Sequence, residues 1–527
     1  MTEPSSSPAG YDTTPHMYGT AAGLVAGAVA VTTGMLVAGI IDVVSPIDAV
    51  GREFIDRVPP WLKRLAIRWF GTNDKLALRT GIIVVLAIAA LIVGYLAVRH
   101  IIAGIIGIGL FGLIGAWAAW HRPEESASAA LPSLFGGAIG IPLLMWLVHP
   151  KTARRIEMPG PSRVPLGWDR RRFLVSTGSA AAAAVVVGGI AQVVERRRVQ
   201  SIRAAISDAL PPPAGPADSI NPTAISVPAG ATLSPVTPFI TPNGDFYRID
   251  TALSFPRINL SSWKVEIGGM VDKPLTLTYN DLLARPQTER IVTLCCVSNE
   301  VGGEYISNAS FQGVMLADLL NEAGVQSDAE QVFSTSLDGW TCGFPVAIAL
   351  DGRDAMIAVG MNGEALPLEH GFPARLVVPG LYGYVSATKW LSKIELNRWD
   401  DAEGFWVPRG WARDAPIKTQ SRIDVPRDGE KVAAGSAKIA GIAWAQHRGI
   451  DKVEVRINDG QWQEARLGND ITNDSWRQWV LDWDATPGKY TIQVRATDKN
   501  GETQTADEAP PDPDGATGYH TRNVKVV

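Results

Sequence analysis

The sequence predicts three structural parts: an N-terminal bundle of transmembrane α-helices, a central α+β domain, and a C-terminal all-β sandwich. Three observations predict this order. Apolar runs long enough to cross a bilayer lie before residue 199. Short β-like and helix-like runs alternate after residue 243. After about residue 415 the pattern changes to strands separated by Asp-Gly and Asn-Gly turns, which are typical of a small sandwich.

The composition indicates a protein that is partly embedded in a membrane. Of 527 residues, 46% are hydrophobic and 19% charged, and the mean hydropathy is +0.07. The 48 Lys and Arg against 53 Asp and Glu give a net charge of -5, so we expect no nucleic-acid partner. The three cysteines are too few for a disulfide framework and lack the paired spacing of a zinc site.

Residues 1–198 are predicted to form the transmembrane domain, because a helix needs about 20 apolar residues to cross a hydrocarbon core about 30 Å thick. Only Arg99 and His100 separate the second run from the third, which suits two antiparallel helices and a tight turn. The stretch 46–78 mixes charges with large apolar residues, so we predict an amphipathic segment at the interface. The five predicted helices are 19–41, 81–98, 101–120, 131–148 and 173–194.

The orientation of these helices depends on two basic stretches, 46–78 and 151–172, which three spans separate, so both cannot be cytoplasmic. The run Asp169 to Leu174, with three adjacent arginines before an alanine-rich segment, resembles a twin-arginine export signal. We therefore expect a multi-pass protein of the bacterial cytoplasmic membrane whose central and C-terminal domains are extracytoplasmic. The alternative is an ordinary stop-transfer helix with basic flanks, and the external arginines 196–198 favour it.

The remaining domain boundaries follow from changes in composition. Residues 199–242 are rich in Pro and Gly and are predicted to be a linker. Residues 243–414 form the predicted catalytic domain, and residues 415–527 the predicted sandwich.

Two adjacent cysteines, Cys295 and Cys296, end an apolar strand and enter a glycine-bearing loop. A cysteine in this position can be a nucleophile, a redox thiol or a soft metal ligand. His370 lies in the same predicted domain and could serve as a base, so a cysteine hydrolase stays open at this point. The alternative without chemistry is a buried free cysteine.

A second informative stretch covers residues 361–391. Its glycines permit close backbone approach to a large ligand, while His370, Arg375 and Lys389 supply donors for a phosphate and a polar heterocycle. A solvated surface pair is the ordinary role of such an arginine and lysine. Their position between Pro, Gly and aromatic residues argues against that role.

Together, Thr293-Leu-Cys-Cys296 and His370-Gly-Phe-Pro-Ala-Arg375 resemble the sulfite oxidase family of molybdopterin oxidoreductases, from roughly residue 246 onward. The resemblance implies a sulfite-oxidase-type central domain that binds molybdenum-molybdopterin. It implies that Cys296 is the catalytic residue and the protein ligand of molybdenum, and that Cys295 is incidental. The residues that it places at the cofactor are Tyr247, Arg248, Ser336, His370, Arg375, Ser386, Thr388 and Lys389.

The sequence also departs from the family pattern. Where the family has arginines that hold an oxyanion, Asn299 is followed here by Glu300 and Val301, and the family's active-site tyrosine aligns approximately with Ala402. We therefore expect oxygen-atom transfer on a small substrate other than typical sulfite. Reduction of a sulfoxide or N-oxide by the same centre is one alternative. A cofactor-free, membrane-tethered binding module with an immunoglobulin-like head is the alternative from another class.

The expected partners are a small-molecule substrate, the lipid bilayer and an external electron carrier, either a cytochrome or a quinone-linked membrane protein. No intrinsic haem is expected, because His100, His121 and His149 lie at the ends of predicted helices. The C-terminal strands resemble the immunoglobulin-like dimerisation domain of the family, which implies that the predicted C-terminal sandwich, residues 415–527, is immunoglobulin-like. A homodimer is therefore one interpretation of this domain, and a docking surface or a lid is another.

Overall fold

The computed structural model describes residues 14–59, 62, 69, 74–121, 126–148, 170–206 and 237–527. They belong to two compact units: a helical unit of residues 1–202 and 252–257, and a second unit of residues 203–251 and 258–527. The predicted fold class is confirmed, because apolar helices, a mixed domain and an all-β domain follow one another in that order. Most of the stretch 60–73, His149, Asp169 and residues 207–236 lie outside the described residues.

The described part of the helical unit consists mainly of α-helices. These helices are α1 (Thr14–Ile40), α2 (Pro46–Arg57), α3 (Asp74–Arg99), α4 (Ile101–Trp120), α5 (Leu131–Val148) and α6 (Arg170–Ile206). Five described segments are long and apolar enough to cross a membrane, judged by length and composition: Met17–Ile40, Leu76–Arg99, Ile101–Trp120, Ala127–Val148 and Phe173–Arg198. The bounds of α4 and α5 are those predicted from the sequence.

Helices α3 and α6 extend beyond their predicted ends. α3 begins at Asp74 rather than at residue 81, and α6 ends at Ile206 rather than at residue 194. Hydropathy detects only the apolar part of a helix, whereas an existing helix gains a hydrogen bond with each further residue of adequate propensity. The last residues of the predicted interfacial stretch therefore begin α3, and the first residues of the predicted linker end α6.

Helix α2 accounts for the first part of the stretch predicted to be interfacial. Ser45 caps its N-terminus by accepting a hydrogen bond from the main-chain N–H of Asp48 (3.2 Å), and Pro46 occupies the first turn. Ala49 is buried in a cluster with residues of neighbouring helices, whereas Phe54 is exposed. The helix is amphipathic as predicted, and its apolar side packs within the bundle.

Helices α1 and α3 approach each other backbone to backbone. A Cβ atom placed on Gly94 of α3 would lie 2.1 Å from the carbonyl oxygen of Gly19 and 2.7 Å from Cα of Gly23, both in α1. Close approach of this kind requires small residues at the interface.

Helices α1 and α6 run in the same direction through this unit. Near their N-terminal ends, the rings of Tyr18 and Phe173 are 4.7 Å apart. Near their other ends, Arg198 lies 3.8 Å from Asp42. The chain therefore enters and leaves the five-helix set at opposite ends.

Residues 252–257 pack against the helical unit, although the sequence places them inside the predicted catalytic domain. Arg79 donates to the carbonyl of Leu253 (2.6 Å), and Arg257 forms an ion pair with Asp42 (2.6 Å). Contacts to main-chain carbonyls depend on non-local geometry and leave no pattern in the sequence, which explains the difference.

The central domain contains two sheets. The first has the order β2-β1-β10-β5-β6 and the second the order β3-β4-β7-β8, with β9 also paired to β7. Its strands are β1 (Lys264–Gly269), β2 (Leu275–Thr278), β3 (Thr288–Cys295), β4 (Ile306–Met315), β5 (Gln331–Ser336), β6 (Thr341–Pro345), β7 (Met356–Met361), β8 (Glu364–Ala365), β9 (Arg375–Val377) and β10 (Leu391–Asn397). Its helices are α7 (Tyr279–Ala284), α8 (Leu316–Ala323), α9 (Val346–Ala349) and α10 (Gly383–Ser386).

The C-terminal domain is a sandwich of two sheets, with the orders β11-β13-β17-β16 and β12-β19-β18-β14-β15. Its strands are β11 (Gln420–Val425), β12 (Lys431–Val432), β13 (Gly435–Trp444), β14 (Ile450–Ile457), β15 (Gln463–Glu464), β16 (Arg466–Leu467), β17 (Arg477–Ala485), β18 (Gly488–Asp498) and β19 (His520–Val526). Buried and more exposed residues alternate along β18, as expected for a strand with one face in a core.

The central domain and the sandwich share a hydrophobic core. Ile442, Trp444 and Trp476 of the sandwich belong to the same buried cluster as Val265 and Leu319 of the central domain. The indole N–H of Trp476 also donates to the carbonyl of Phe239 (2.9 Å). The sandwich is thus packed firmly against the domain that carries the predicted site.

Candidate active site

The predicted metal ligand, Cys296, lies just after β3 in a tight loop. Its main-chain N–H donates to the carbonyl of Tyr305 (2.9 Å), and its carbonyl accepts from the N–H of Asn299 (3.0 Å). The Asn299 side-chain oxygen accepts in turn from the N–H of Tyr305 (2.8 Å). These bonds close the loop around a thiol that is 8% exposed.

Both adjacent thiols are buried, and burial raises the pKa of each. Hydrogen bonds from Ser298 partly counteract this rise in the pKa of Cys296. The Cys295 thiol points back to the carbonyl of Cys296 (3.5 Å). A buried thiol with a raised pKa is a poor free nucleophile near neutral pH, so the geometry favours a metal ligand, from which the metal displaces the proton, over a cysteine hydrolase.

Tyr247 approaches the two thiols from the segment that precedes β1. Burial raises the pKa of its phenol well above the ordinary value, and charge on Cys296 and Cys295 would raise it further, whereas Arg375 lowers it. The main-chain N–H of Tyr247 donates to Ser307 (3.1 Å). The phenol therefore stays protonated near neutral pH and can act as a hydrogen-bond donor beside the thiols.

His370 and Arg375 lie next to each other against aromatic rings. The Arg375 guanidinium donates to the carbonyl of His370 (3.1 Å) and stands 5.7 Å from the ring centre of Phe311. Nε2 of His370 is 2.8 Å from the carbonyl oxygen of Asn243, so this nitrogen carries the proton. Burial lowers the pKa of His370 to about 4, and the imidazole is therefore neutral near pH 7.

Lys389 is buried in a small cluster of charges. Its ammonium group donates to the Asp250 carboxylate (2.6 Å) and to the carbonyl of Glu369 (3.3 Å). Arg248 donates to the same Asp250 oxygen (2.8 Å). Burial lowers the pKa of Lys389 to about 8, although Asp250 acts in the opposite direction.

The three predicted hydroxyl residues already use their side chains within the protein. Ser386 donates to the carbonyl of Tyr382 (3.1 Å), and Ser336 accepts from the N–H of Asp338 (3.4 Å). The Thr388 hydroxyl lies 2.7 Å from the hydroxyl of Ser334 and 3.1 Å from the sulfur of Cys342. For Ser336, Ser386 and Thr388 we therefore expect any contact with a cofactor to involve the main chain.

The structure thus brings together six of the residues that the sequence selects, in two neighbouring groups. Tyr247 interacts electrostatically with both Cys296 and Arg375, and Arg375 also acts on Lys389 and His370. Arg248 joins this set through Asp250.

Sequence reasoning missed two residues of this site. Asp250 pairs with both Lys389 and Arg248, and its closeness to Arg248 in the sequence was the available signal. Trp390 adopts a positive φ of 51°, which strains a bulky residue and is common near functional sites. Its indole N–H donates to the carbonyl of Leu368 (2.8 Å), and the Lys389 ammonium group lies 4.7 Å from its ring centre.

The charge balance of this pocket fits an anionic cofactor. Arg375 is 5% exposed, donates to two main-chain carbonyls and forms no ion pair with any described residue. Burial lowers its pKa to about 10. Because a buried cation is costly without a counter-charge, an anionic ligand such as a phosphate would complete the site.

Two further observations concern possible ligands. Among the described residues, no group of three or more His, Cys, Asp or Glu could hold a metal ion. The side-chain nitrogen of Asn299 is buried and has no hydrogen-bond partner in the described part of the chain, which leaves a donor beside Cys296 for a ligand.

The residues at the predicted departures from the family pattern lie outside this pocket. Glu300 is exposed, so its carboxylate does not enter the buried site. The carbonyl of Ala402 accepts from the side chain of Gln331 (3.1 Å). Gly404 packs against Cys342, where a Cβ atom would lie 3.0 Å from Cα.

The fold and the site define a molybdopterin-binding oxidoreductase domain joined to an immunoglobulin-like domain. Residues 252–406 match the family of the oxidoreductase molybdopterin binding domain, and residues 420–494 match the bacterial Ig domain. Mitochondrial sulfite oxidase of Homo sapiens is 31% identical over 303 residues, which cover 49% of this chain and 55% of that protein. This chain therefore spans about half the length of that relative.

Two other relatives are matched over more of their length. Sulfite oxidase of Gallus gallus is 30% identical over 322 residues, 52% of this chain and 69% of that protein. The uncharacterized oxidoreductase YuiH of Bacillus subtilis (strain 168) is 35% identical over 153 residues, 29% of this chain and 74% of that protein. The chain belongs to the sulfite oxidase family of molybdopterin oxidoreductases. Its residues 252–406 form an oxidoreductase domain of the kind that binds molybdenum-molybdopterin.

Proposed function

We propose that this protein is a membrane-anchored, extracytoplasmic oxidoreductase that transfers an oxygen atom on a small substrate other than sulfite. The observation that carries the catalytic part of the proposal is the buried Cys296 thiol beside a pocket whose buried Arg375 has no carboxylate partner among the described residues.

Different residues of the site bind different parts of the cofactor. Cys296 is the protein ligand of molybdenum, and Arg375, Lys389 and Arg248 bind the anionic part of the pterin. The neutral His370 and the protonated Tyr247 offer hydrogen bonds to its polar heterocycle. When bound, the cofactor supplies a two-electron redox centre for oxygen-atom transfer.

The cysteine loop supports a substrate other than the sulfite dianion. Glu300 and Val301 follow Asn299 where the family has arginines, so this loop supplies no cation to a small anion. The buried side-chain nitrogen of Asn299 is a neutral donor, and it suits an uncharged substrate oxygen.

The arrangement of the helical unit supports the proposed orientation. Because α1 and α6 run in the same direction, the first turns of α1 lie at the same end of the helix set as Phe173 and the arginines that begin α6. Residues 252–257 contact the opposite end. Placing the basic stretch 151–172 in the cytoplasm puts that opposite end on the extracytoplasmic side.

Electrons are exchanged with an external carrier, either a cytochrome or a quinone-linked membrane protein. His100 and His121 flank α4 at its two ends, where a histidine of a membrane-spanning helix would lie near the membrane surface.

The proposal is tested on the full chain purified in detergent. We expect about one molybdenum per chain, and substrate-dependent reduction of a redox dye with a small neutral substrate but not with sulfite. Replacing Cys296→Ser abolishes turnover because it removes the sulfur ligand, whereas Cys295→Ser, a matched change at the adjacent buried thiol, retains turnover.

Three results would contradict the proposal: a folded wild-type chain that contains no molybdenum, rapid turnover of sulfite, or loss of turnover in Cys295→Ser instead of Cys296→Ser. Oxidation of a reduced dye by a sulfoxide or N-oxide in the presence of the enzyme would show that the same centre reduces its substrate instead of oxidising it.

A further inference from the structure

Strand β3, which ends at Cys295, has one edge that does not pair with another strand of its own sheet. β3 is the terminal strand of the order β3-β4-β7-β8, so the polar main-chain groups on its outer edge need other partners. The sandwich supplies them at Thr293. The N–H of Thr293 donates to the carbonyl of Asp474 (2.8 Å), and its carbonyl accepts from the side chain of Gln446 (3.0 Å).

The side chain of Thr293 is held by the same domain. Its hydroxyl accepts from the N–H of Trp476 (2.7 Å) and donates to the side chain of Asn308 on β4 (2.8 Å). Thr293 is 0% exposed. Hydrogen bonds thus connect β3 to the sandwich at a position three residues before Cys296.

A second contact with the sandwich lies at the C-terminal end of residues 296–303, hereafter the Cys296 loop. Arg422 of β11 donates to the carbonyl of Gly303 (2.8 Å). Its guanidinium is oriented by the Asp424 carboxylate (2.7 Å) and the Thr237 hydroxyl (2.6 Å). The Arg422 side chain is 9% exposed, so these bonds are shielded from water.

His520 of β19 packs on the same end of the loop. Gly302 has a φ of +77°, and a Cβ atom there would lie 2.2 Å from Cδ2 and 2.3 Å from Nε2 of the His520 ring. The N–H of Ile423 donates to Nδ1 of His520 (2.8 Å), which fixes the orientation of the ring. The imidazole is therefore a flat surface against which only a glycine fits.

We infer that the immunoglobulin-like domain positions the metal ligand of this enzyme, with Arg422 and His520 as positioning residues that hold the Cys296 loop from its C-terminal end. The inference rests on the proposed role of Cys296 as the molybdenum ligand. Groups that fix the orientation of a metal ligand strongly affect metal affinity and electronic structure.

The first test replaces Arg422→Gln in the full chain and compares it with Arg448→Gln. Arg448 is a matched control because it also lies in the sandwich, pairs with an aspartate, Asp498 (2.8 Å), and donates to a main-chain carbonyl, that of Ile417 (2.9 Å). None of these partners belongs to the Cys296 loop. Hydrogen-deuterium exchange of residues 291–305, molybdenum content and the Mo(V) electron paramagnetic resonance spectrum are measured for each variant.

We expect Arg422→Gln to accelerate exchange in the Cys296 loop and to reduce molybdenum occupancy about tenfold or to shift the Mo(V) spectrum. We expect Arg448→Gln to leave all three readouts near the wild type. Unchanged exchange, or faster exchange with a wild-type spectrum and occupancy, would overturn the inference.

The second test compares Gly302→Ala with Gly429→Ala. The two glycines have similar φ angles, +77° and +73°, but nothing lies within 4 Å of a Cβ atom on Gly429. Strain from the positive φ is therefore common to both variants, and the clash with His520 is specific to Gly302→Ala. We expect only Gly302→Ala to change the Mo(V) spectrum, and equal spectra in the two variants would count against the role of His520.

The two proposals fail in different ways. If the wild-type chain contains no molybdenum, the proposed function is wrong and the positioning role falls with it, while the exchange rates still decide whether the sandwich holds the loop. If the wild type contains molybdenum and Arg422→Gln behaves like Arg448→Gln, only the positioning role is wrong.

Discussion

At the scale of single residues, the charge state of Lys389 depends on whether an anionic ligand is bound beside it. Its ammonium group is 11% exposed, and Asp250 shares its oxygen between Lys389 and Arg248. Arg375 and Arg248 both oppose the charged form of Lys389. Burial and this repulsion explain a pKa of about 8, and the phosphate of a bound pterin would restore the charged form.

This environment predicts that cofactor binding depends on pH through Lys389. Without cofactor, Lys389 carries its positive charge below its pKa of about 8 and loses that charge at higher pH. A bound phosphate stabilises the charged ammonium group and so raises the pKa of Lys389. Affinity for the cofactor should therefore fall about tenfold between pH 7 and pH 9. Molybdenum retained after dialysis at the two pH values measures this change.

The matched variants are Lys389→Met and Lys393→Met. Lys393 belongs to the following strand but is 42% exposed and pairs with Glu395. Lys389→Met should hold little cofactor at either pH and show no pH dependence, while Lys393→Met should behave as the wild type. A pH dependence that survives in Lys389→Met would show that another group is responsible.

At the scale of elements, the helical unit depends on direct backbone contact between α1 and α3. Gly94 faces Gly19 and Gly23, and any side chain at this position would meet main-chain atoms that cannot rotate away. If the helical unit lies in lipid, where helices gain nothing from hiding apolar surface from water, this close packing is a main source of its stability.

We predict that Gly94→Val destabilises the helical unit by about 1–3 kcal/mol or more, because the added carbons force α1 and α3 apart. Gly109→Val in α4 is the control, since nothing lies within 4 Å of a Cβ atom there. Thermal unfolding of the detergent-solubilised chain measures the difference. Equal unfolding temperatures for the two variants would exclude a role for the glycine contact.

At the scale of the whole molecule, the proposed extracytoplasmic location would connect export with cofactor loading. If the pterin cofactor is inserted in the cytoplasm, the second unit must be transported in its folded state, and a twin-arginine signal would serve this kind of transport. The arginines at residues 170–172 begin α6, whereas those at 196–198 lie near its other end.

The double substitution Arg170→Lys with Arg171→Lys should therefore reduce export of the catalytic unit about tenfold or more. It should not prevent cofactor loading. Arg196→Lys with Arg197→Lys, at the other end of the same helix, is the matched control. Protease sensitivity of the C-terminal domain in spheroplasts measures export. Normal export of the first variant would indicate that α6 is an ordinary stop-transfer helix.

Much of the fold and part of the site could be predicted because their signals are local. The bounds of α4 and α5 follow from uninterrupted apolar runs, and Cys296, His370, Arg375 and Lys389 lie in two contiguous motifs. The extensions of α3 and α6 could not be predicted, because polar residues continue a helix without changing its hydropathy pattern.

The sequence by itself determined the class of protein, the number of membrane-length helices in the described part of the chain and the choice of candidate site residues, since each depends on residue type over a short window. Only the tertiary structure decided that Asp250 pairs with Lys389, that residues 252–257 pack on the helices, and that Arg422 and His520 contact the Cys296 loop. These contacts join residues that are distant in the chain, and their geometry arises from sheet register and shared packing, which no local pattern encodes.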